Sequence, residues 1–404
     1  MNNFEFLSPT RLIVGKEAEK QTGKWIKEYS GHKVLVHHDS GFVKQNGFVD
    51  QVISYLKEDG LEVVELGGVV PNPHLSKVYE GIELCKKENV DFLLAIGGGS
   101  VIDSTKAIAD GLQYDGDVWD FFIEEDGIPV AKPEKSTPFG VILTIAATGS
   151  ECSNSCVITK ADENLKRFSD YDIHRAKFAI ENPDLTMTLP AFQTACGVVD
   201  IMSHSMERYF TPEKDNNYLT DYLCEAVFHT CMDCGRVLKD DPKNYDARAS
   251  VMVASSISHN GLTGMGRTGD WASHFIEHEL SGEFQTVTHG AGLAVVIPAW
   301  MKYVYKDNMT LFIKWATRVM GVSYDYEKPE RTVLEAIARL EDFYEGLGLT
   351  THLTELPGVD PKDLTKETFE RMAKRVRVVH EDGSIGWVKR LYTEDIVKIF
   401  EMAM

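Results

Sequence analysis

The arrangement of short β-branched runs and amphipathic stretches between residues 11 and 185 constrains the fold of this chain more than any other feature. Helical periodicity fills 16–29, 47–59 and 74–88, the intervals between the first four runs. Strand and helix in alternation indicate a parallel, doubly wound sheet covered by helices. The predicted strands are 11–15, 33–37, 62–65, 92–96, 139–144 and 156–159.

The pattern changes after Pro190, where strand-like runs almost disappear and long stretches of 3.6-residue period follow. A chain of 404 residues is too long for one ordinary core, and segment 183–190 has a proline at each end, as a linker would. We therefore predict an α/β domain over 1–187 and an all-helical domain over 188–404. The predicted helices of the second domain are 191–210, 216–239, 243–259, 288–305, 308–321, 328–347, 361–379 and 393–403.

Composition excludes several classes of protein. The formal charge of -20 argues against nucleic acid or an anionic membrane as partner, because both are bound through surplus Lys and Arg. No basic segment followed by an apolar stretch opens the chain, and no apolar run approaches the roughly 20 residues of a membrane span. Seven scattered cysteines, an odd number, fit reduced thiols. We expect a cytoplasmic protein that acts on small molecules.

A glycine-rich loop follows the fourth predicted strand. Gly97, Gly98 and Gly99 end the strand, and Ser100 is placed to cap the helix that begins there. Glycines let the backbone approach a ligand closely, and the free N–H groups of a helix start suit a pyrophosphate. The loop matches neither the G-x-G-x-x-G fingerprint nor a Walker P-loop. We favour phosphate binding over the alternative, a simple tight turn.

Two other predicted strands end in polar residues. Asp39 follows the second strand, where a carboxylate can accept hydrogen bonds from ribose hydroxyls and repel a 2'-phosphate. The alternative is a solvated aspartate in a turn. Thr144 and Thr148 follow the fifth strand, and their hydroxyls suit a nicotinamide or a phosphate. Because its carboxylate repels a 2'-phosphate, Asp39 favours NAD over NADP as the cofactor.

Histidines at helical spacing mark the second domain. Asp200 and His204, and likewise His274 and His278, are four residues apart, so each pair shares one helix face. His289 belongs to the next helix or to the turn before it. A mixed oxygen and nitrogen set suits Zn²⁺ or Fe²⁺. Imidazoles among apolar neighbours need a polar partner. That partner is either a shared cation or, alternatively, an ordinary structural hydrogen bond.

The same stretch also fits another chemistry. His274, Glu277 and His278 form the H-x-x-E-H pattern of inverted zinc peptidases. That interpretation would make the chain a hydrolase, but it accounts for five residues and leaves the predicted sheet and the glycine loop without a role. We therefore favour the cofactor-dependent interpretation.

The motifs together resemble the iron-containing, or group III, alcohol dehydrogenases, and within them the butanol dehydrogenase branch. The resemblance runs along the whole chain, although each motif is modest alone. It rests on Pro71-Asn72-Pro73, Gly97-Gly98-Gly99-Ser100 with Asp103 and Lys106, Thr148-Gly149-Ser150-Glu151, Asp200 with His204, the segment 271–280, and His289-Gly290-Ala291-Gly292-Leu293.

The resemblance implies a dinucleotide-binding α/β domain, a helical metal-binding domain and a site in the cleft between them. It implies one Fe²⁺ or Zn²⁺ bound by four ligands, and His278 beside it as the catalytic proton relay, with a purely orienting role as the alternative. The implied ligands are Asp200, His204, His274 and His289. Its cofactor positions fall on Gly97, Gly98, Gly99, Ser100, Thr144 and Thr148, with Lys166 as a further candidate. Our predicted cofactor set also contains Asp103 and, from its place at the strand end, Asp39.

The resemblance also implies an activity. We expect an NAD(P)H-dependent alcohol dehydrogenase or aldehyde reductase acting on primary alcohols and aldehydes such as butanol and butanal, as a homodimer. Many NADPH-preferring relatives carry a glycine-rich segment ending in serine where this chain has Asp39-Ser40-Gly41-Phe42, which agrees with NAD. The alternatives are polyol oxidation as in glycerol dehydrogenase, a lyase resembling dehydroquinate synthase, and a binding module in which the metal only stabilises the fold.

Overall fold

A computed structural model describes residues 1–39, 41–125 and 128–404, and the chain forms two compact units. We name them the sheet unit and the helical unit. The sheet unit consists of Leu7–Leu189 and Lys243–Asn260. The helical unit consists of Met1–Phe6, Pro190–Pro242 and Gly261–Met404.

The sheet unit is built on six parallel strands in the order β1-β10-β7-β4-β2-β3. Two short antiparallel pairs, β5 with β6 and β8 with β9, lie outside this sheet. The strands are β1 (Arg11–Val14), β2 (Lys33–Asp39), β3 (Glu62–Val69), β4 (Phe92–Gly97), β5 (Glu124–Glu125), β6 (Ile128–Pro129), β7 (Phe139–Leu143), β8 (Ser155–Lys160), β9 (Leu165–Asp170) and β10 (Phe178–Glu181).

α-Helices are the other main elements of both units. Those of the sheet unit are α1 (Thr22–Glu28), α2 (Phe42–Gln45), α3 (Phe48–Glu58), α4 (Leu75–Glu88), α5 (Gly99–Gly111) and α8 (Tyr245–His259). Those of the helical unit are α6 (Ala191–Tyr209), α7 (Tyr218–Asp240), α9 (Ala272–Glu283), α10 (His289–Val304), α11 (Met309–Arg318), α12 (Pro329–Gly346), α13 (Lys366–Arg375) and α14 (Thr393–Met402). None of the described helices is long and apolar enough to cross a membrane.

The parallel sheet is buried on both faces. Val34 and Val36 of β2 belong to an apolar cluster with Val52 of α3. Side chains alternate along a strand, so His37 points to the opposite face, where its Nε2 lies 2.9 Å from Oγ of Ser104 on α5. Helices therefore cover both faces, and the predicted doubly wound α/β fold with an all-helical second part is confirmed.

The predicted strand at 156–159 does not join the parallel sheet. It forms β8, which pairs antiparallel with β9, and the place in the sheet is taken by β10, which the sequence pattern did not identify. Only residues 161–164 connect β8 to β9, with Asn164 in the left-handed conformation at φ 53°. A parallel pair needs a crossover of a dozen or more residues, so this short connection permits only a hairpin.

Helix α8 belongs to the sheet unit, although the predicted division at 187/188 placed it in the helical domain. Its Ser255 Oγ accepts a hydrogen bond from the Gly149 N–H at 3.1 Å, and His259 Nδ1 lies 2.9 Å from the Thr148 carbonyl oxygen. These contacts attach α8 to the turn after β7. The division at 187/188 stays a prediction. The two compact units differ from it, because α8 lies in the sheet unit and Met1–Phe6 lies in the helical unit.

Helix α8 also holds a buried pair of carboxyl groups. Ser256 Oγ lies 2.8 Å from Glu151 Oε1 and 2.6 Å from Glu181 Oε1, and both acids are buried. One hydroxyl donates a single hydrogen, so the second carboxyl group bonds to it by carrying a proton itself. Burial, and secondarily the charge of Glu151, raises the pKa of Glu181 to about 8.

The raised pKa of Glu181 predicts a loss of stability at alkaline pH. The folded state holds this proton more tightly than the unfolded chain, so the stabilisation is complete below the ordinary glutamate pKa and is lost as pH rises through about 8. We expect the urea midpoint of the parent protein to fall between pH 6 and pH 9, and Glu181→Gln to reduce that fall. The exposed Glu83, changed to Gln, is the control, and an equal fall in Glu181→Gln would contradict the prediction.

Candidate functional site

Three of the predicted cofactor residues lie at one edge of the parallel sheet. β4 lies between β2 and β7, and all three strands run in the same direction. Asp39 ends β2, Gly97 ends β4, and Thr144 follows β7, with its N–H donating to the Gly97 carbonyl at 3.1 Å. The carboxyl edge of such a sheet is where phosphate-bearing ligands bind. The geometry therefore brings Asp39, Gly97 and Thr144 to the same edge of the sheet.

The glycine loop approaches its neighbours too closely for larger residues. A Cβ on Gly99 would lie 2.5 Å from the side chain of Thr148, so glycine lets the start of α5 pack against that turn. The N-cap is Gly98, without a side-chain cap, and Ser100 lies inside the helix. The prediction that Ser100 caps the helix is therefore wrong, because the N-cap lies two residues earlier, at Gly98. The uncapped N-terminus directs backbone N–H groups at the sheet edge.

Thr144 has an unsatisfied hydroxyl group. Its Oγ1 is buried, and none of the described residues forms a hydrogen bond with it. A buried hydroxyl without a partner is costly unless a ligand or water completes it. Thr148 differs, since its Oγ1 accepts the N–H of Ser150 at 3.1 Å. Of the two predicted threonines, Thr144 is the better placed to bind a cofactor group.

Asp103 lies within α5 and bonds to protein groups. Its carboxylate accepts Ser150 Oγ at 2.5 Å and the Val157 N–H at 3.0 Å. The buried Lys106, one turn later, donates to Ser150 Oγ at 2.8 Å and to the Ser155 carbonyl at 2.6 Å. These bonds fix the segment between β7 and β8. The structure thus shows Asp103 supporting the site from within, and direct cofactor contact by Asp103 stays a prediction.

The two remaining cofactor candidates differ in surroundings. Asp39 accepts the Gly41 N–H at 2.6 Å, which orients its carboxylate at the strand end, while Ser40 lies outside the described residues. Lys166 lies on β9, in the hairpin outside the parallel sheet, and is buried. The structure places Asp39 with the glycine loop at the sheet edge and Lys166 on a separate element.

The predicted metal ligands come from three helices of the helical unit. Asp200 and His204 occupy successive turns of α6, His274 lies in the first turn of α9, and His289 is the first residue of α10. Oxygen and nitrogen atoms of Asp200, His204 and His274 lie within 4.8 Å of one another. His289 Nε2 lies 3.9 Å from Asp200 Oδ1. Asp200 thus lies close to all three predicted histidine ligands.

Hydrogen bonds define which nitrogen two of the histidines present. His274 Nδ1 lies 2.8 Å from Glu207 Oε1, and His204 Nδ1 lies 2.9 Å from the Asp200 carbonyl oxygen. Both partners only accept, so each Nδ1 carries the proton and each Nε2 keeps its lone pair. The His274 Nε2 is buried and forms no hydrogen bond with any described residue. Such an atom fits a metal ligand.

The third histidine has the same arrangement. His289 Nδ1 bonds to Glu277 Oε2, which leaves Nε2 facing Asp200. Three imidazoles and one carboxylate form a donor set that suits Fe²⁺ or Zn²⁺. The residues present therefore fit a single divalent ion.

His278 lies beside this group. Its ring centroid is 5.6 Å from that of His289 and 6.5 Å from that of His274. Glu277, His278 and His289 also lie close enough together to form a second candidate cluster. The bond from Glu277 to His289 Nδ1 argues against that cluster, because it already pairs two of the three residues with each other. It also gives Glu277 a role different from that of a peptidase base.

Two glycines allow the helices to meet at this point. A Cβ on Gly290 would lie 2.2 Å from the Cys196 carbonyl oxygen of α6, and a Cβ on Gly292 would lie 2.7 Å from Glu277 Oε1. The start of α10 therefore reaches both α6 and the buried carboxylate only without side chains. The sequence interpretation missed Glu207 and gave Glu277 no orienting role. The sequence signal that could have identified both glutamates is an acidic residue at a buried position of a helix that also carries histidines.

Comparisons with known proteins identify the family of this chain. Residues 9–183 match the family model described as iron-containing alcohol dehydrogenase, and residues 194–404 match the C-terminal model of the Fe-containing alcohol dehydrogenase family. The probable NADH-dependent butanol dehydrogenase 2 of Bacillus subtilis is 38% identical over 404 residues, covering 100% of both chains. The NADPH-dependent aldehyde reductase YqhD of Escherichia coli is 35% identical, covering 97% of this chain and 99% of that protein.

A solved structure of a butanol dehydrogenase is also similar to this chain. The NADH-dependent butanol dehydrogenase A of Thermotoga maritima superposes with a TM-score of 0.93 at 36% identity, covering 100% of this chain and 99% of that one. The two family models together account for nearly all of the chain, and the resemblance inferred from its motifs is confirmed. This chain belongs to the iron-containing alcohol dehydrogenase family, in its butanol dehydrogenase branch.

Proposed function

We propose that this chain reduces straight-chain aldehydes to primary alcohols with NADH as preferred hydride donor and one Fe²⁺ or Zn²⁺ in the helical unit. As a member of its family, the chain is an oxidoreductase that acts on alcohols and aldehydes with NAD(P)H. The observation that carries the proposal is that ligand atoms of Asp200, His204 and His274 lie within 4.8 Å of one another, with His289 Nε2 at 3.9 Å from Asp200 Oδ1.

The residues of the helical unit prepare this chemistry. When bound, the nicotinamide supplies a hydride and the divalent ion supplies positive charge that stabilises the developing alkoxide. Asp200 contributes the single negative charge of the ligand set, because the three imidazoles are neutral when Nδ1 carries their only proton. The set thus neutralises only half of the charge of a divalent cation. Burial of Asp200, His204 and His274 excludes water that would weaken this field.

The residues of the sheet unit bind the cofactor in our proposal. The N-terminus of α5 and the loop Gly97 to Gly99 hold the pyrophosphate, and the Thr144 hydroxyl completes its hydrogen bonding with a cofactor group. The carboxylate of Asp39 accepts the ribose hydroxyls and repels a 2'-phosphate. This repulsion supports NADH over NADPH. Ser100, Asp103, Thr148 and Lys166 complete the proposed cofactor set.

His278 is the proposed proton relay. Its ring neighbours those of two proposed ligands, and it is half-buried, so its imidazole is placed to pass a proton between the substrate oxygen and solvent. The homodimer and the cytoplasmic location stay predictions.

The first test of the proposal is a pair of assays on the purified enzyme. We expect about one divalent ion per chain by elemental analysis, with stoichiometric NADH oxidation during butanal reduction. Butanol is expected to be oxidised in preference to glycerol. A glycerol preference would identify a polyol dehydrogenase, and NAD that is retained without net turnover would identify a lyase instead.

Removing one proposed ligand tests the metal site. We expect His274→Ala to lose the bound ion and to lower kcat/KM for butanal by about 10³-fold or more, since the ion contributes several kcal/mol to charge stabilisation. Elemental analysis and steady-state kinetics on the same preparation measure both effects. His229→Ala, which changes an exposed histidine of α7, is the matched control and should retain both properties. Full metal content and turnover in His274→Ala would refute the ligand assignment.

Removing the carboxylate at the end of β2 tests cofactor choice. We expect Asp39→Gly to raise the ratio of kcat/KM for NADPH to that for NADH by about tenfold, equivalent to roughly 1.4 kcal/mol of relieved repulsion. Asp115→Gly, which changes an exposed aspartate in a loop of the same unit, is the control. An unchanged ratio in Asp39→Gly would remove this carboxylate from the explanation of cofactor preference.

A further inference from the structure

We propose that two buried carboxylates, Glu207 and Glu277, are positioning residues: each holds one histidine so that Nε2 faces the ion, and their negative charges raise the metal affinity of the site. This inference rests on the proposed function, because it takes the ligand set proposed there. Neither carboxylate belongs to that set, and each acts through a histidine.

Glu207 joins the helix of two ligands to the helix of a third. It lies on α6, one turn after His204, and its Oε1 lies 2.8 Å from His274 Nδ1. The same carboxylate accepts the N–H groups of Trp271 at 2.6 Å and His274 at 3.1 Å, and Ser273 Oγ at 2.5 Å. It therefore serves as the cap of α9, whose own N-cap residue provides none.

The backbone of α9 begins under strain at this cap. Trp271 is in the left-handed conformation at φ 64°, which is rare for a residue with a large side chain. Its ring packs edge-on against His274, with centroids 5.4 Å apart, and the Arg208 guanidinium lies 4.6 Å from the ring centroid. Glu207 holds this conformation through the Trp271 N–H, so one carboxylate sets both the start of α9 and the rotation of His274.

Glu277 performs the equivalent task for His289. Its side chain is fully buried, and its Oε2 bonds to His289 Nδ1. The space for this carboxylate depends on Gly292, where a Cβ would lie 2.7 Å from Glu277 Oε1. With Nδ1 occupied, His289 presents Nε2 toward Asp200, at 3.9 Å from its Oδ1.

The negative charge has a consequence beyond orientation. A carboxylate that accepts the Nδ1–H bond makes the imidazole a better electron donor at Nε2, which strengthens its bond to a cation. Glutamine keeps the shape of glutamate but removes the charge. Loss of such a partner commonly costs about 10- to 100-fold in metal affinity. A purely structural carboxylate would change the stability of the metal-free protein and leave affinity in the folded protein unchanged.

The test measures Zn²⁺ affinity of the full-length, metal-free protein by competition with a chromogenic chelator. We expect Glu277→Gln and Glu207→Gln to bind Zn²⁺ about 10- to 100-fold more weakly than the parent. The control is Glu283→Gln, which removes a carboxylate of the same helix α9 that pairs with Arg371 at 2.6 Å. This control should bind Zn²⁺ as the parent does. The absorption spectrum of the Co²⁺-loaded protein gives a second measure, expected to change in the two variants only.

The outcomes separate the two proposals. Parent-like Zn²⁺ affinity in folded Glu277→Gln and Glu207→Gln would overturn the positioning role, and metal loss in His274→Ala would then leave the proposed function standing. Metal retention in His274→Ala would instead refute the proposed ligand set. If removal of the Glu207 cap unfolds that variant, Glu277→Gln carries the test. If Glu277→Gln also fails to fold, Glu277→Asp is measured instead, because its shorter side chain withdraws the carboxylate from His289 Nδ1, and parent-like affinity there would overturn the positioning role of Glu277.

Discussion

The hydrogen bonds that Glu207 accepts connect the two helices on which three of the four proposed ligands lie. Asp200 and His204 share α6 with this carboxylate, and His274 follows the turn that it caps on α9. An acid buried this deeply is costly unless donors surround it, and two backbone N–H groups, a hydroxyl and an imidazole do so. The same bonds that offset the burial of a charge therefore also define the geometry of the proposed metal site.

In the sheet unit, the proposed binding site is formed by backbone groups rather than by side chains. Three adjacent parallel strands end at one edge, where Gly97 to Gly99 remove the Cβ atoms that would fill the space and the uncapped start of α5 supplies N–H groups. Asp103 and Lys106, buried in α5, then hold the following segment in place through Ser150. The proposed phosphate loop is therefore supported by buried polar side chains of α5.

Local periodicity was sufficient to predict much of this structure. The strand and helix alternation led to the parallel sheet, and four-residue spacing placed Asp200 with His204 on one face of α6. Features that depend on distant residues were missed. The β8–β9 hairpin looked like another strand of the sheet because its apolar pattern is the same, and α8 has no local signal of the unit it joins. Glu207 and Glu277 were overlooked as orienting groups because their partners, His274 and His289, are 67 and 12 residues away.

The attachment of α8 to the sheet unit has a consequence for how the chain folds during its synthesis. Ser255 reaches back 106 residues to Gly149, and Ser256 reaches back 75 residues to Glu181. All six strands are therefore made before the helix that covers the turn after β7 and the buried acids exists. A nascent chain that ends near residue 190 leaves those carboxyl groups and that turn uncovered, and non-local closure of this kind is slow. Completion of the sheet unit must wait until residue 260 has emerged from the ribosome, when most of the helical unit, Gly261–Met404, has still to emerge.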